Sequence, residues 1–171
     1  MIVISDTNIL SSLAAGDALP LLPRLFRPAK ICIPPAVRLE LEVGLSRGRT
    51  YLAVILQAIS AAEIEVLSLS IQEKGLSEVL SRQLNRGERE AIALAQSRQA
   101  LLLSNDKKAV NYCHQQGLRA IALADLLRLL WTRGLLSQVE VNGLIDRMTA
   151  VEKLSLSQSQ RAIIFAPRPK R

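Results

Sequence analysis

Short apolar runs alternate with longer segments of helical period through residues 1–123, and this alternation limits the folds open to the chain more than any other feature. Buried strands of a parallel sheet are short and apolar, and the connections between them need about a dozen residues or more, usually as helices. The pattern therefore predicts an α/β fold with a largely parallel central sheet. The predicted strands are residues 2–4, 31–33, 64–67, 101–103 and 120–123.

The segments between the strands carry helix signals. Pro34 and Pro35 form a start signal, after which Val37, Leu41 and Gly44 fall at helical spacing. After residue 123 the pattern is helical only. Besides the helix that begins at the prolines, we predict helices over 51–61, 76–84, 88–99, 106–116, 126–133, 138–151 and around 159–165, with residues 85–87 as a break.

A chain of 171 residues is long enough for one well-buried core and too short for two ordinary domains. We predict a single domain over residues 1–166, with a core of about 1–123 and a helical C-terminal extension over 124–166. Residues 167–171 are basic and interrupted by proline, which is typical of a flexible tail. The apolar residues that would join either the core or a homodimer interface are Leu126, Leu127, Leu129, Leu130 and Trp131.

The composition narrows the class of protein. A formal net charge of +7 and a pI near 10.0 favour binding to a polyanion, with nucleic acid as the first candidate. Only 3% of the residues are aromatic, which argues against a base-stacking platform and favours contacts with the nucleic-acid backbone. Cys32 and Cys113 are too few for a disulfide framework or, with the single His114, for a zinc site, so we predict free thiols in a reducing cytoplasm.

Several classes of protein are disfavoured by what the sequence lacks. No apolar run reaches the roughly 18 residues that a membrane-spanning helix needs. The N-terminus carries neither the basic segment nor the cleavage site that is typical of a secretory signal. Neither GxGxxG nor GxxxxGK[ST] occurs, which argues against dinucleotide and ATP binding. We therefore expect a cytoplasmic protein without a membrane partner.

Two aspartates directly follow predicted strands. Asp6 comes after the first strand and Asp106 after the fourth. The carboxyl ends of parallel strands meet at one edge of the sheet, which is where α/β folds bind their ligands. A carboxylate in this position is also a common helix cap, so capping is the competing interpretation. The polar neighbours that can orient a carboxylate or its bound water are Thr7, Asn8, Ser104 and Asn105.

Two glutamates fall on apolar helix faces. Glu40 shares a face with Val37 and Leu41, where an acid costs desolvation free energy unless it reaches a cation or a cleft. Glu88 shares a helix face with Ala91, Ile92 and Ala95. Glu90 is turned about 200° from Glu88 around the helix axis. Glutamates early in a helix also stabilise its N-terminus, and this capping role competes with the functional interpretation.

If Asp6, Glu40, Glu88 and Asp106 converge at one edge of the sheet, their charges repel one another. A divalent cation removes that penalty, and Mg²⁺ or Mn²⁺ prefers oxygen ligands. Such an ion can activate a water and stabilise charge on a phosphate. The residues therefore predict a metal-dependent enzyme that acts on a phosphate polyanion, with these four acids as catalytic residues and metal ligands and Glu90 as the alternative ligand.

Taken together, these segments resemble the PIN-domain nucleases. The resemblance runs through residues 3–10, 33–45, 87–95 and 102–106, in an order and spacing that cover the chain to about residue 123. It implies a three-layer α/β/α sandwich, an acidic cluster that binds Mg²⁺ or Mn²⁺, and endonucleolytic cleavage of RNA. Asp6, Glu40 and Asp106 match the family's acidic positions, and Gly87-Glu88 matches a subgroup in which the glutamate is the remaining acid.

The same resemblance implies partners. Bacterial and archaeal members are often VapC-type toxins that pair with a small antitoxin protein, and homodimers are common among them. The helical portion after residue 123 is longer here than in the minimal toxins. RNA is thus the implied substrate, and an antitoxin and a second copy of the chain are the implied protein partners.

Other interpretations use the same elements. A haloacid-dehalogenase-like phosphatase needs a second aspartate two residues after the first, and this chain has Asn8 there. A response-regulator receiver needs an acidic pair after the first strand, where this chain has Ser5-Asp6. The alternative that stays open is a non-catalytic PIN-fold module that binds RNA or protein.

Overall fold

The central sheet has five strands, all parallel, in the order β3-β2-β1-β4-β5. The structure is a computed structural model that describes residues 1–167. Each strand falls where the sequence predicts one, with ends that differ by one or two residues. The strands are β1 (Ile2–Ser5), β2 (Lys30–Ile33), β3 (Ile64–Val66), β4 (Leu101–Leu103) and β5 (Ala120–Ile121).

Ten α-helices within residues 1–167 surround the sheet, together with a short 3-10 turn at Thr50–Leu52. They are α1 (Thr7–Ala15), α2 (Leu21–Phe26), α3 (Pro35–Ser46), α4 (Ala53–Ser60), α5 (Ile71–Val79), α6 (Arg86–Ser97), α7 (Lys107–Gln115), α8 (Leu123–Thr132), α9 (Gln138–Glu152) and α10 (Gln158–Ile164).

Alternate residues of each strand face opposite sides of the sheet, which creates two cores. On one side Val3, Ile31 and Leu103 pack with α1, α3, α8 and α9. On the other side Ile4 and Leu102 pack with α6 and α7. Helices on both faces of a parallel sheet make a three-layer α/β/α sandwich, and this confirms the predicted fold class.

The sequence pattern missed or misplaced several helices. It did not predict α1 and α2, and the helix expected over 76–84 is wrong, because α5 runs from Ile71 to Val79. Ser70 and Glu73 form a reciprocal capping box that fixes this earlier start. Gly87 is not part of a break either: Asn85 and Glu88 make a second capping box, so α6 already begins at Arg86.

The C-terminal helices complete the first core. Four of the five apolar residues that were candidates for a homodimer interface are buried inside the chain, and Leu129 is half-buried. Trp131 Nε1 donates a hydrogen bond of 2.7 Å to the carbonyl of Ile164, which ties α8 to α10. The four buried residues therefore belong to the core. Within residues 1–167 no helix combines the length and the apolar character needed to cross a membrane, and the last part of the predicted tail, residues 168–171, lies outside the described residues.

Candidate active site at the carboxyl edge of the sheet

The four acids that the sequence singled out are linked by a chain of contacts at the carboxyl ends of the strands. The backbone N–H of Gly87, next to Glu88, donates to Glu40 Oε1 at 3.2 Å. The hydroxyl of Thr7 donates to the other oxygen of Glu40. Thr7 follows Asp6, which in turn accepts hydrogen bonds from the segment that leads to Asp106. The structure thus brings all four positions to one edge of the sheet.

Asp6 is the most enclosed of the four, with 2% of its surface exposed. Its Oδ1 caps α1 by accepting from the Ile9 N–H at 2.9 Å. Its Oδ2 accepts from the Ser104 hydroxyl at 2.7 Å and from the Asn105 N–H at 3.3 Å. Burial raises the pKa of Asp6 to about 6, against the lowering effect of these hydrogen bonds, and the nearby charge of Glu88 adds to the rise.

Glu40 is half-buried and is held at both carboxylate oxygens, by Thr7 and by the N–H of Gly87. Sequence pattern alone offers no reason for a glycine at position 87, but the packing does. A Cβ on this residue would lie 2.7 Å from Glu40 Oε1. The absence of a side chain at Gly87 therefore lets α6 approach α3 closely enough to fix Glu40.

Glu88 and Asp106 each cap a helix with one oxygen. Glu88 Oε2 accepts from the Asn85 N–H at 2.8 Å, and Asp106 Oδ1 accepts from the Ala109 N–H at 2.9 Å. Within residues 1–167 the other oxygens, Glu88 Oε1 and Asp106 Oδ2, accept no hydrogen bond. Helix capping therefore uses one of the two oxygens of each carboxylate.

Electrostatic coupling among the acids runs through Glu88. Burial raises its pKa, and the charges of Asp106 and Glu40 raise it further, while Lys108 opposes them. In the described part of the chain none of the four acids forms an ion pair. The site therefore holds a concentration of negative charge that no ion pair within residues 1–167 neutralises.

Glu90, the alternative ligand, has a different set of contacts. It is buried, and its Oε2 accepts from the Ala36 N–H at 2.9 Å in the first turn of α3. Its Oε1 pairs with Arg86 Nε at 2.8 Å. Both oxygens of Glu90 are therefore engaged in joining α6 to α3, and its carboxylate is neutralised by a cation, unlike that of Glu88.

The oxygen donors fit a hard divalent cation that keeps most of its waters. Among residues 1–167, no three His, Cys, Asp or Glu side chains form a ready-made metal cage. Mg²⁺ commonly binds through only one or two carboxylates and retains several waters. Glu88 and Asp106 offer one unengaged oxygen each, and Asp6 and Glu40 both lie close enough to Glu88 for their charges to interact with it.

Two cavities lie beside elements that carry the acids, and the sequence pattern predicted neither. The first, of about 740 Å³, lies between α5 and the start of α6, and its cations are Lys74, Arg82, Arg86 and Arg89. The second, of about 400 Å³, lies between α1 and the end of α9 and is lined in part by Asn8 and Asn105, two of the supporting residues predicted from the sequence. The basic residues of the first cavity are scattered along the sequence, and only the fold gathers them into one cavity.

Comparison with known families gives one match. The family model described as a PIN domain matches residues 2–164, which is nearly the whole chain. No curated protein and no solved structure matches alongside it.

Proposed function

The chain belongs to the PIN-domain family, whose members are typically metal-dependent nucleases, and from this premise we propose that it is an Mg²⁺- or Mn²⁺-dependent endoribonuclease. The observation that carries the proposal is the group of four acids, Asp6, Glu40, Glu88 and Asp106, which meet at one edge of the sheet without an ion pair in the described chain. Acids that are close together and form no ion pair are typical of a site built for a cation.

The proposed roles divide the acids into two pairs. Glu88 and Asp106 would hold the metal directly, because each has an oxygen free of hydrogen bonds within residues 1–167. Asp6 and Glu40 would orient the metal-bound waters, because both of their oxygens are already held. When bound, the ion would supply a more acidic water and would stabilise charge on the phosphate.

The surrounding residues would keep the acids in place. Ser104 fixes Asp6 through its hydroxyl, and Thr7 does the same for Glu40. The rotamers of Glu88 and Asp106 are fixed by the helix caps that they form. Partners of this kind hold a site in its working geometry before the substrate arrives, which is the main contribution that a protein makes to phosphoryl chemistry.

The substrate would be recognised through its phosphates. The cavity beside α6 carries Lys74, Arg82, Arg86 and Arg89, and its acids include Glu90, which is already paired with Arg86. Arg86 and Arg89 lie on α6, the same helix that carries Glu88, so this basic cavity and the acidic site share one element. Such a surface attracts the RNA backbone, and the proposed metal site would act on it.

Purified protein incubated with end-labelled single-stranded RNA tests the proposal. We expect internal cleavage with Mg²⁺ or Mn²⁺ and none with EDTA, and Asp106→Asn protein prepared in parallel controls for contaminating nucleases. Cleavage that persists in EDTA but is absent from the Asp106→Asn preparation would refute the metal mechanism. Absence of cleavage with any RNA and either metal would favour the non-catalytic alternative.

A binding module without catalysis is the competing function, and one observation favours it. Asp6, Glu88 and Asp106 each cap a helix, so their presence has a structural explanation. In that case Asp106→Ala, which removes the cap of α7, should lower the melting temperature without altering RNA binding or partner binding. The finer role of a toxin, with an antitoxin as partner, is tested by inducing the protein in cells: we expect growth arrest with the wild type and not with Asp106→Asn.

A further inference from the structure

The second cavity, between α1, the 3-10 turn and the end of α9, is not used by the chemistry proposed above. Its volume is about 400 Å³, and its polar and charged lining consists of Asn8, Ser12, Arg49, Tyr51, Asn105, Glu152 and Lys153. Asn8 follows Thr7, the partner of Glu40, and Asn105 precedes Asp106. The cavity therefore begins where the acidic cluster ends.

Both carboxylate oxygens of Glu152, the acid of this cavity, already accept hydrogen bonds. Glu152 Oε2 accepts from the Ser12 hydroxyl at 2.8 Å, and its Oε1 accepts from the hydroxyls of Ser11 and, at 3.1 Å, of Tyr51. These bonds anchor the last turn of α9 to α1 and to the 3-10 turn. The C-terminal extension thus forms one wall of the cavity and is held against the core.

The two cations of the cavity have no such partner. In the described residues neither Arg49 nor Lys153 forms an ion pair or a side-chain hydrogen bond. Both residues are exposed, and they lie on different elements, with Arg49 before the 3-10 turn and Lys153 after α9. Two unpaired cations beside two asparagine amides suit an anion that also carries hydrogen-bonding groups.

Lys153 stands in a backbone conformation that favours glycine. It ends α9 with φ 57° and ψ 35°, in the left-handed region, and its N–H closes the helix on the carbonyl of Thr149. Glycine is the usual residue at such a helix end, because a Cβ there costs free energy. Lys153 therefore lines the cavity from a backbone conformation that costs local stability.

We propose that this cavity binds the nucleotide that neighbours the cleaved phosphodiester, with Arg49 and Lys153 on its phosphate and Asn8 and Asn105 on its sugar or base. This proposal rests on the ribonuclease function proposed above. The cavity would set the direction in which an RNA strand crosses the acids, because the larger basic cavity lies near Arg86 and Arg89 instead. The C-terminal extension then contributes to substrate binding as well as to the core.

Binding of a short fluorescent single-stranded RNA, in EDTA and over a range of KCl concentrations, tests the subsite. We expect Lys153→Gly and Arg49→Gln each to weaken affinity several-fold and to reduce the slope of log affinity against log salt by about 0.7, the value for one lost phosphate contact on single strands. With Mg²⁺, KM should rise while kcat stays close to wild type, because the lost interaction acts equally in the ground state and the transition state.

Matched controls separate charge from backbone effects. Ala62 also has a left-handed backbone, with φ 58°, and lies before β3 at the opposite edge of the sheet. Ala62→Gly therefore relieves the same kind of backbone strain without changing the charge. Arg119→Ala removes an exposed cation near the start of β5, also at the opposite edge. Both should leave RNA affinity and the salt slope unchanged, and Lys153→Gly should melt at the wild-type temperature or above it.

The outcomes are distinguishable. If the wild type cleaves RNA with metal but Lys153→Gly and Arg49→Gln bind RNA like the wild type, the subsite is wrong and the nuclease function stands. If the wild type cleaves no RNA at all, the proposed ribonuclease function is wrong, whatever the two subsite variants do. An equal loss of affinity in Arg119→Ala would mean diffuse attraction by net charge, which would also overturn the subsite.

Discussion

Two buried carboxylates of this protein differ in their surroundings. Glu73 in α5 is 3% exposed and meets Arg98, whose Nε and Nη2 lie 2.9 and 3.1 Å from its oxygens. Arg98 holds the pKa of Glu73 at about 2. Asp6 is 2% exposed and receives only hydrogen bonds from neutral groups, and burial raises its pKa to about 6.

The difference shows that the fold can supply a cation to a buried acid and does so where the acid is structural. At the carboxyl edge of the sheet it leaves Asp6, Glu40, Glu88 and Asp106 without one among the described residues. Unpaired buried charge costs stability, and it persists where another component supplies the opposite charge. The comparison therefore separates an acid that is neutralised within the fold from the four acids that we propose to bind a cation.

The largest expected effect is the difference in RNA cleavage between substitutions at Asp6 or Asp106 and a substitution at Glu73. Asp106→Asn should reduce RNA cleavage by more than about 10²-fold, which is the upper range for loss of a residue that only supports a metal ligand, and Asp6→Asn should reduce it by up to about 10²-fold. Glu73→Gln should instead leave kcat of the folded protein unchanged and destabilise it by about 2 kcal/mol, because it breaks charge-assisted hydrogen bonds to Arg98. Cleavage rates and urea unfolding measure the two effects, and a catalytic loss in Glu73→Gln would erase the distinction.

The second prediction concerns the two glutamates of α6. Glu88→Gln removes a negative charge from the acidic cluster and should weaken metal binding and reduce cleavage by about 10²-fold. Glu90→Gln should change cleavage little and cost less than about 1 kcal/mol, since the amide oxygen can still accept from Ala36 and the Arg86 partner is mostly exposed. Metal titration by calorimetry checks the binding. A reversal of the two effects would move the metal site to Glu90.

The third prediction uses the close approach at Gly87. In Gly87→Ala the new Cβ would meet Glu40 Oε1, so Glu40 should be displaced and cleavage should fall by about 10-fold, as for loss of a supporting residue. Alanine is a better helix former than glycine, so the melting temperature should fall little. Gly75→Ala in α5, where a Cβ meets nothing within 4 Å, is the matched control. Equal activity in both variants would show that the contact with Glu40 is unimportant.

The smallest expected effect is on stability as a function of pH. The pKa of Asp6 in the folded protein lies above its ordinary value of 3.8. Asp6 therefore contributes to the free energy of unfolding below pH 3.8, and this contribution is lost as pH rises through about 6. For Glu73 the folded pKa is lowered, so its contribution is present above 4.5 and is lost as pH falls through about 2. These two contributions therefore change with pH in opposite directions, as their opposite surroundings require.

Urea unfolding of metal-free protein between pH 4 and 7 measures the Asp6 contribution. Relative to Asp6→Asn, the wild type should lose on the order of 2 kcal/mol over this range. Added Mg²⁺ at pH 7 should restore stability to the wild type more than to Asp6→Asn, because a ligand that binds the folded state stabilises it. A pH profile shared by both proteins would show that Asp6 is not buried in solution as it is in this structure.

Local sequence was enough to find much of the candidate site. Asp6 and Asp106 follow apolar strands, and parallel strands must bring such residues to one edge. The helical period was also enough to predict that Glu88 and Glu90 face different ways. Helix starts were less predictable where a capping box decides them. The capping residues Ser70 and Asn85 lie before the predicted starts at residues 76 and 88. Whether these acids bind metal remains a prediction.

The sequence by itself determined the class of fold and the strand ends that carry the acids, because the apolar runs and the polar residues directly after them are local properties. Only the tertiary structure decided which acids receive a cation. Arg98 reaches Glu73 across 25 positions of the chain, and the Gly87 N–H reaches Glu40 across 47. These contacts depend on how helices pack over the sheet, and helix packing is set by the summed shape of many side chains rather than by any single residue.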